Sequence, residues 1–273
     1  MIPTGCTPIS ATRNSVRNDW LIRTGWPWLP GFFVSFPPGC FFVYDTDQNQ
    51  FIPEDSYLET SSFRIIGHRG ARLHAPDNSD SGFHYLVNHG ICWAETDLRL
   101  NSRGDIVLIH DPYLPDAGAV SEGEHPGLER LTAILDRYPS LCLNLELKQP
   151  QVMERLCRLP ALARQPERFI LSSFHHGTVV ALKQHFPRIP CLIVVSGALI
   201  GLAEYVERIG VDGVVFEYEF FDVPELDRIL KSGKQVYAFT VNHLNDARRF
   251  RDMGINGIIT DDPVALRSGL FPV

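Results

Sequence analysis

The sequence predicts an α/β protein built as a (β/α)8 TIM barrel with an N-terminal extension. Short β-rich runs alternate with helical patterns from residue 63 to the end of the chain. Repeated strand-then-helix units indicate parallel strands joined by right-handed crossovers, and about eight such units in roughly 210 residues suit a closed barrel. A doubly wound open sheet is the alternative, but the first strand lacks the GxGxxG loop with which such sheets bind dinucleotides.

The elements follow in order from hydrophobic periodicity and from the turn residues between the runs. The predicted strands lie near residues 64–68, 91–98, 105–110, 141–147, 168–172, 190–195, 212–216, 235–241 and 256–260. Helical patterns lie near residues 79–89, 128–138, 151–163, 175–186, 198–209, 223–232, 243–253 and 262–268. Residues 1–62 lack this alternation, so we assign them to an extension of unknown role and residues 63–273 to the barrel.

The run LCLNLELK, residues 141–148, tests the barrel prediction. Its odd positions are all leucine, and its even positions are Cys142, Asn144, Glu146 and Lys148. Because side chains alternate across a strand, one face is apolar and suits packing under helices. The other face becomes polar toward its carboxyl end, which is where a barrel strand reaches an active site.

Composition excludes several classes of protein. The chain has a net charge of -7 and is 44% hydrophobic, so it is an ordinary globular protein without the basic face that nucleic-acid binders carry. A small anionic substrate stays compatible, because a site can be locally positive. The six cysteines form no CxxC pair, which favours buried reduced thiols over a zinc site or a disulfide framework.

Two N-terminal features bear on location. The first 20 residues show no apolar segment behind a basic start, so we predict no signal peptide and a cytoplasmic protein. Residues 25–44 are apolar, but their four prolines and three glycines exclude a spanning helix. We interpret this stretch as an extension that packs on the main domain, with an interfacial membrane anchor as the alternative.

Three carboxylates stand at strand positions that could face the barrel interior. Glu95 and Asp97 are two residues apart in CWAETDLRL and therefore share a strand face, and Glu146 lies near the carboxyl end of another strand. Adjacent carboxylates repel one another, and a hard divalent cation such as Mg²⁺ or Ca²⁺ removes the conflict. A solvated strand face is the simpler interpretation of the first pair alone, and Glu146 shifts the balance toward a metal.

Two histidines lie at the ends of predicted strands, and two basic side chains lie close to predicted site residues in the sequence. His68 closes the first strand and His110 closes DIVLIHD, and histidine can exchange a proton near neutral pH. A single histidine at a strand end is more often structural, but two beside three carboxylates favour catalysis. Arg69 and Lys148 could hold a phosphate or carboxylate, and Gly70 lets the backbone turn closely past a ligand.

Other polar groups are interpreted as structural. Glu217 and Glu219 have the same spacing as the first carboxylate pair but no histidine or cation beside them, so we expect rim charges. Asp261 or Asp262 in TDDP is predicted to cap the last helix. Ser173 lacks the GxSxG context of a serine hydrolase.

Together these residues resemble the glycerophosphodiester phosphodiesterase family over residues 64–265. The segments GHRGARLHAPDNS, ETDLRL, LIHD, LNLELK, SSF, FTVN and GIITDDP occur in that family's order. The resemblance implies a metal-dependent barrel that cleaves a small-molecule phosphodiester. It implies His68 and His110 as the acid–base pair, of which we assign His68 as the base and His110 as the acid. It implies Glu95, Asp97 and Glu146 as ligands of one divalent cation, Mg²⁺ or Ca²⁺. It further implies Arg69 and Lys148 as phosphate contacts, and Asn78 and Asn242 as substrate-binding or bracing residues.

The chain also departs from the family pattern. Asp77 and Ser79 replace a glutamate and a threonine, Phe239 replaces a tryptophan, and a small subdomain usual after the His-Asp strand is reduced to a loop near residues 111–127. A shorter insertion leaves room for a bulkier headgroup, such as a lysophospholipid or a sugar phosphodiester. A phospholipase D of the cyclising, sphingomyelinase D type and a non-catalytic barrel that binds phosphorylated ligands are the alternatives.

Overall fold

The structure is a computed structural model that describes residues 63–114 and 118–272, together with the backbone of two short strands at 42–45 and 50–53. Those two strands form an antiparallel pair, Phe42–Asp45 (β1) with Gln50–Pro53 (β2). The rest of the predicted extension, including nearly all of the apolar stretch 25–44, lies outside the described residues. Within the described part, no helix is both long and apolar enough to cross a bilayer.

Eight parallel strands close into the predicted barrel. The strands after β2 are Arg64–Gly67 (β3), Trp93–Leu100 (β4), Ile106–Leu108 (β5), Tyr113–Leu114 (β6), Gly118–Ala119 (β7), Cys142–Leu147 (β8), Phe169–Ser173 (β9), Cys191–Val195 (β10), Gly213–Glu217 (β11), Gln235–Phe239 (β12) and Gly257–Thr260 (β13). The order of the barrel strands around the sheet is β3, β13, β12, β11, β10, β9, β8, β4, and β4 pairs back to β3 to complete the ring.

Helices follow the barrel strands, as the alternating sequence pattern predicts. They are Asp80–Asn88 (α1), Leu131–Arg137 (α2), Val152–Leu156 (α3), Pro160–Arg164 (α4), His176–His185 (α5), Leu202–Ile209 (α6), Val223–Lys231 (α7), Leu244–Asp252 (α8) and Pro263–Leu270 (α9). The fold class predicted from the sequence is therefore confirmed.

Two predicted elements were wrong in detail. The run at 105–110 is no barrel strand: β5 is antiparallel to β4, because the short turn between them cannot hold a crossover helix. The single helix predicted at 151–163 is broken into α3 and α4. Pro160 has no amide hydrogen and keeps Leu159 extended, so it starts a new helix instead of continuing the old one.

The alternation of β8 positions its polar side chains. Leu141, Leu143, Leu145 and Leu147 are buried in the large outer core that packs the barrel against its helices. The opposite face looks inward: Cys142 packs on a small apolar cluster that includes Ile66, Trp93, Ile170, Leu192, Val194, Val215, Tyr237 and Ile259. The interior is thus apolar at one level, and it becomes polar toward the carboxyl ends of the strands.

The chain turns sharply at the carboxyl end of β3. A side chain at Gly67 would place its Cβ 2.2 Å from the carbonyl oxygen of Gly70, so only glycine fits there. Arg69 and Gly70 then take positive φ angles of 49° and 87°. This turn brings the backbone of residues 68–70 over the barrel mouth.

The connection after β4 is compact in the part that the structure describes. It contains β5, a two-stranded hairpin of β6 and β7, and one turn of 3-10 helix at Val120–Glu122. The backbone amide of Ile109 donates to the carbonyl oxygen of Asp97 at 3.0 Å. The segment that carries His110 is therefore attached to β4 beside its carboxylates.

Candidate active site

The three predicted carboxylates converge at the carboxyl end of two neighbouring strands. Asp97 on β4 is the direct partner of Glu146 on β8, and Glu95 lies two residues earlier on the same face of β4. Glu95 is 2% exposed and Asp97 is 1% exposed. One oxygen from each of the three residues lies within 4.8 Å of the others. This spacing allows the three to hold one cation.

Two basic side chains lie against this carboxylate cluster. Lys148 Nζ is 3.0 Å from Asp97 Oδ1 and 2.5 Å from Glu146 Oε1. Arg69 Nε is 3.3 Å from Asp97 Oδ2, and Arg69 Nη1 is 2.7 Å from Asp77 Oδ2. The sequence predicts both residues as phosphate contacts, and in the structure both face the carboxylates at the edge of the same site.

The electrostatics of the cluster favour a bound cation. Burial raises the pKa of Glu95 well above its ordinary value, and the charges of Asp97 and Glu146 raise it further. Burial also raises the pKa of Glu146. Burial opposes ionisation of Asp97 too, but Lys148, Asn78 and Arg69 together lower its pKa. Negative charge at Glu95 is thus opposed by its surroundings, and a hard cation would reverse that.

One oxygen of the cluster has no hydrogen-bond partner in the part of the chain that the structure describes. Glu95 Oε2 accepts a 2.8 Å hydrogen bond from the backbone amide of Arg69, whereas Glu95 Oε1 is buried and none of the described residues donates to it. A buried, unsatisfied carboxylate oxygen is costly. Three oxygen donors with one oxygen unsatisfied are the donor set that Mg²⁺ and Ca²⁺ accept, so the residues present fit such an ion.

Asn78 is hydrogen-bonded to Asp97 and to the neighbouring Thr96. Its side-chain amide donates to Asp97 Oδ2 at 2.9 Å, and its Oδ1 accepts from Thr96 Oγ1 at 2.7 Å and from the backbone amide of Asp97 at 3.1 Å. The residue is buried, with a positive φ of 56°. Of the two roles the resemblance allows, the contacts support bracing.

His68 lies at the same mouth and is oriented by a carboxylate. Its Nδ1 is 2.7 Å from Asp261 Oδ1, and its backbone amide donates to the carbonyl oxygen of Thr260. Asp261 Oδ2 accepts a 2.7 Å hydrogen bond from Asn242, whose Oδ1 accepts from the backbone amide of Asp261. Asn242 is thus a brace for Asp261.

Sequence analysis left Asp261 and Asp262 as equivalent candidates for the helix cap. Asp262 is the cap, because its side chain accepts from the backbone amide of Ala265 at 3.1 Å. Asp261 instead orients His68. The sequence did contain one indication of this role: Asp261 directly follows β13, the strand that pairs with β3, and His68 directly follows β3.

His110 reaches the site from a different direction. β5 ends at Leu108, and His110 follows in the bend that returns toward the mouth. Its side chain is 41% exposed and its Nδ1 lies 2.7 Å from Asp111 Oδ1. Its backbone oxygen accepts from Arg99 Nε at 2.8 Å, and its charge acts on Glu146. It is the more open of the two predicted histidines.

The residues interpreted as structural have other partners. Glu217 accepts a hydrogen bond from Ser196 at the rim, and Glu219 lies in an exposed 3-10 turn. Ser173, on the strand next to β8, donates to the carbonyl oxygen of Leu147. Among the described residues, no hydrogen bond or ion pair connects these three with the three carboxylates.

Part of the chain matches the model of one known family, and several curated proteins of similar length resemble it. The model of the glycerophosphoryl diester phosphodiesterase family matches residues 143–265, a range that contains Glu146, Lys148, Asn242 and Asp261. A glycerophosphodiester phosphodiesterase of Caldanaerobacter subterraneus is 25% identical over 233 residues, which cover 74% of this chain and 95% of the relative. One from Bacillus altitudinis is 24% identical over 235 residues, covering 73% of this chain and 95% of the relative.

Solved structures share the fold. A phosphodiesterase of Oleispira antarctica, determined in complex with the product sn-glycerol-3-phosphate, matches with a TM-score of 0.66 and 23% identity, covering 76% of this chain and 96% of that one. A glycerophosphodiester phosphodiesterase of Thermotoga maritima matches with a TM-score of 0.64 and 20% identity, covering 74% of this chain and 96% of that one.

Proposed function

We propose that this chain, which matches the glycerophosphoryl diester phosphodiesterase family model over residues 143–265, is a phosphoric diester hydrolase that uses a divalent cation and a histidine pair to hydrolyse a glycerophosphodiester-like substrate to a phosphomonoester and an alcohol. One observation carries the proposal: three carboxylates within 4.8 Å of one another, one with a buried unsatisfied oxygen, share a barrel mouth with an Asp-oriented histidine.

Glu95, Asp97 and Glu146 would hold the cation. When bound, it supplies positive charge to the non-bridging phosphate oxygens and stabilises the charge that develops on them. Arg69 and Lys148, which flank the carboxylates, supply further positive charge on the substrate side. Donors fixed in advance at the developing charge are the larger part of catalysis in such sites.

His68 fits the role of general base. Its Nδ1 is held by Asp261, so its Nε2 is the nitrogen that can accept a proton from the attacking water. The carboxylate also stabilises the imidazolium that forms. The water oxygen forms the new bond to phosphorus, and its proton passes to His68.

His110 fits the role of general acid. It lies on the more exposed side of the mouth, where the leaving alcohol meets solvent. As the ester P–O bond breaks, His110 gives its proton to the alkoxide oxygen. A hydroxyl of the substrate could replace water in the first step, in which case the first product is a cyclic phosphate.

The usual sizes of catalytic contributions predict which loss should reduce activity more, that of the cation or that of one histidine. General acid–base catalysis contributes about 10²–10⁴-fold, or roughly 3–5 kcal/mol. Enzymes lower barriers by about 8–23 kcal/mol, so charge stabilisation must supply much of the rest. Removal of the cation should therefore reduce activity at least as much as removal of one histidine.

The test is hydrolysis of sn-glycero-3-phosphocholine by the purified chain with Mg²⁺ or Ca²⁺, followed by ³¹P NMR. We expect an open phosphomonoester as the product and activity that disappears with excess EDTA. His68→Ala and His110→Ala should each lose about 10²–10⁴-fold, whereas His84→Ala, an exposed histidine on α1, should keep full activity.

Three results would contradict parts of this proposal. Full activity in EDTA would remove the cation from the mechanism. A cyclic phosphate as the final product would make the chain a cyclising enzyme. Binding of the diester without turnover, also with bis(p-nitrophenyl) phosphate, would leave only a phospho-ligand-binding barrel.

A further inference from the structure

The exposed apolar residues of the described chain are distributed unevenly. Seven large apolar side chains are exposed: six lie in connections that leave the carboxyl ends of barrel strands, and Val223 is the first residue of the helix that follows one of these connections. They are Leu73 after β3, Tyr113 after β4, Phe174 after β9, Leu199 and Ile200 after β10, and Phe220 and Val223 after β11. We call this set the apolar rim.

The opposite end of the barrel contains none among the described residues. Single exposed apolar residues are normal on soluble proteins and need no explanation. Such a background would place some of them in the loops that lead from helices into strands. The one-sided arrangement instead marks the end of the molecule that carries the candidate active site.

The connection between β10 and α6 carries the most exposed of these side chains. Ile200 is fully exposed, at 103% of the reference area, and its neighbour Leu199 is 46% exposed. The two are flanked by Gly197 and Gly201, whose φ angles of 138° and 74° suit a tight loop tip. Exposure of isoleucine and leucine to water at such a tip is unfavourable, and burial of these side chains against an apolar partner would be favourable.

The shape of the apolar rim favours a flat partner. Its members come from five separate connections, not from one helix face or one strand edge. A peptide that docks as a helix in a groove or as an added strand would need one continuous element to receive it. A surface that is apolar over tens of ångströms can meet all five connections at once.

The charges at the same end favour a neutral partner. Arg72 is half-exposed and lies near Asp77 and Asp261, while Glu219 and Asp111 are exposed. Both signs are present without a basic cluster of the kind that binds anionic membranes. The net charge of the whole chain is -7, which further disfavours an anionic surface.

We propose that the apolar rim docks the barrel mouth on a neutral, zwitterionic lipid surface, with Leu199 and Ile200 as its deepest contact. The choice of a lipid surface rests in part on the proposed function, because membrane headgroups of this kind are phosphodiesters and the site would then face them. The rim would bury apolar side chains in the headgroup boundary, as interfacial segments do.

The experiment is co-sedimentation of the full chain with sucrose-loaded phosphatidylcholine vesicles in EDTA. We expect binding that changes little between 0.1 and 1 M NaCl, and that gains little from added phosphatidylserine. The double variant Leu199→Ser and Ile200→Ser should bind at least about tenfold more weakly. Lys231→Ser is the control, because Lys231 ends α7, whose first residue is Val223, and lies at the opposite end of the barrel.

A second measurement excludes misfolding of the variant. The double variant should hydrolyse soluble sn-glycero-3-phosphocholine at the wild-type rate, since neither residue touches the carboxylates or histidines. No binding of the wild type to phosphatidylcholine, binding only to anionic vesicles, or equal binding of the double variant would each overturn the docking proposal. The vesicle assay needs no turnover, so it decides the matter even if the soluble diester is not hydrolysed.

Discussion

Asp261 and Asp262 are adjacent in the sequence, yet they have separate partners. Asp262 caps α9 through the backbone amide of Ala265, whereas Asp261 lies between His68 and Asn242. Either residue could cap a helix by composition alone, since aspartate is favoured at that position. Only the turn after β13 decides which carboxylate faces the barrel mouth, and that turn depends on tertiary contacts that a single sequence does not display.

Replacing Asp261 by asparagine tests its role as a positioning residue. The change should lower kcat by about 10²–10⁴-fold, because an amide can hold His68 in the wrong tautomer and cannot stabilise its positive charge. KM should change little, since Asp261 contacts none of the carboxylates. Steady-state kinetics measure this split, and a rise in KM with unchanged kcat would contradict it.

The same carboxylate gives a stability prediction with a definite sign. Burial raises the pKa of Asp261, but hydrogen bonds from His68 and Asn242 outweigh it and lower the pKa below its ordinary value. A lowered pKa stabilises the fold above the unfolded-state value of about 3.9 and is lost as the pH falls through the folded-state value. The stability gap between wild type and Asp261→Asn should therefore shrink as the pH falls below about 4, and urea denaturation across this range measures it.

The pKa shift of Glu95 is opposite in direction to that of Asp261, so the pH dependence of stability that it causes is also opposite. Burial, Asp97 and Glu146 raise its pKa, so the folded state binds a proton that the unfolded state has lost. Without a cation, stability should fall as the pH rises from about 4.3, the unfolded-state pKa, through the raised folded-state pKa. Glu95→Gln removes this cost and keeps an oxygen for the amide of Arg69.

We therefore expect Glu95→Gln to be more stable than wild type at pH 7 in EDTA, and inactive with metal. Each 1 kcal/mol corresponds to a Tm shift of about 2–4 °C for a domain of this size, and circular dichroism melts measure it. A lower Tm for the variant in EDTA would show that the ionised carboxylate is already well compensated by Lys148 and Arg69.

At the scale of elements, strand alternation explains how the cluster could be predicted. Glu95 and Asp97 share a face because they are two residues apart, and the three leucines of β8 leave Glu146 on the inner face. Two nearest-neighbour strands with these faces bring the three carboxylates together whatever the loops do. The position of His110 could not be derived this way, because it depends on β5 returning antiparallel to β4.

Asn78 helps to attach the connection between β3 and α1 to β4. Asn78→Ala should destabilise the protein by about 2–4 kcal/mol. It removes the partners of the Thr96 hydroxyl and of the backbone amide of Asp97, which then stay buried and unsatisfied, and it takes one hydrogen bond from the side chain of Asp97. It also places an alanine at a φ of 56°, a conformation that costs a residue with a Cβ about 1 kcal/mol.

Asn78→Gly separates the two causes, since glycine accepts the positive φ but supplies no hydrogen bonds. The glycine variant should recover about 1 kcal/mol relative to the alanine variant in urea denaturation. Equal stabilities would show that the backbone conformation costs nothing here. A glycine variant as stable as wild type would remove the bracing role from the side chain.

At the scale of the whole molecule, the eight-strand ring was predictable because the strands carry their own apolar patterns and alternate with helical patterns along the chain. The predicted site residues lie at one end of that ring, as parallel strands require. Asp261 was missed because it comes from the last strand while its partner His68 follows the first, 193 residues away. Closure of the ring makes these two ends neighbours, and no local pattern displays closure.

A cation held between β4 and β8 should stabilise the closed ring as a unit. A ligand that binds only the folded state at 100 times its Kd adds about 2.7 kcal/mol, which corresponds to a rise in Tm of roughly 5–11 °C for this domain. Thermal melts with EDTA, Mg²⁺ or Ca²⁺ measure the effect, and the ion with the larger shift is the better ligand. Glu146→Gln and Asp97→Asn should each reduce the shift strongly, whereas Glu217→Gln, a rim carboxylate on β11, should leave it unchanged. An equal shift in all variants would place the ion elsewhere on the chain, and no shift with either ion would leave the buried oxygen of Glu95 without its expected partner.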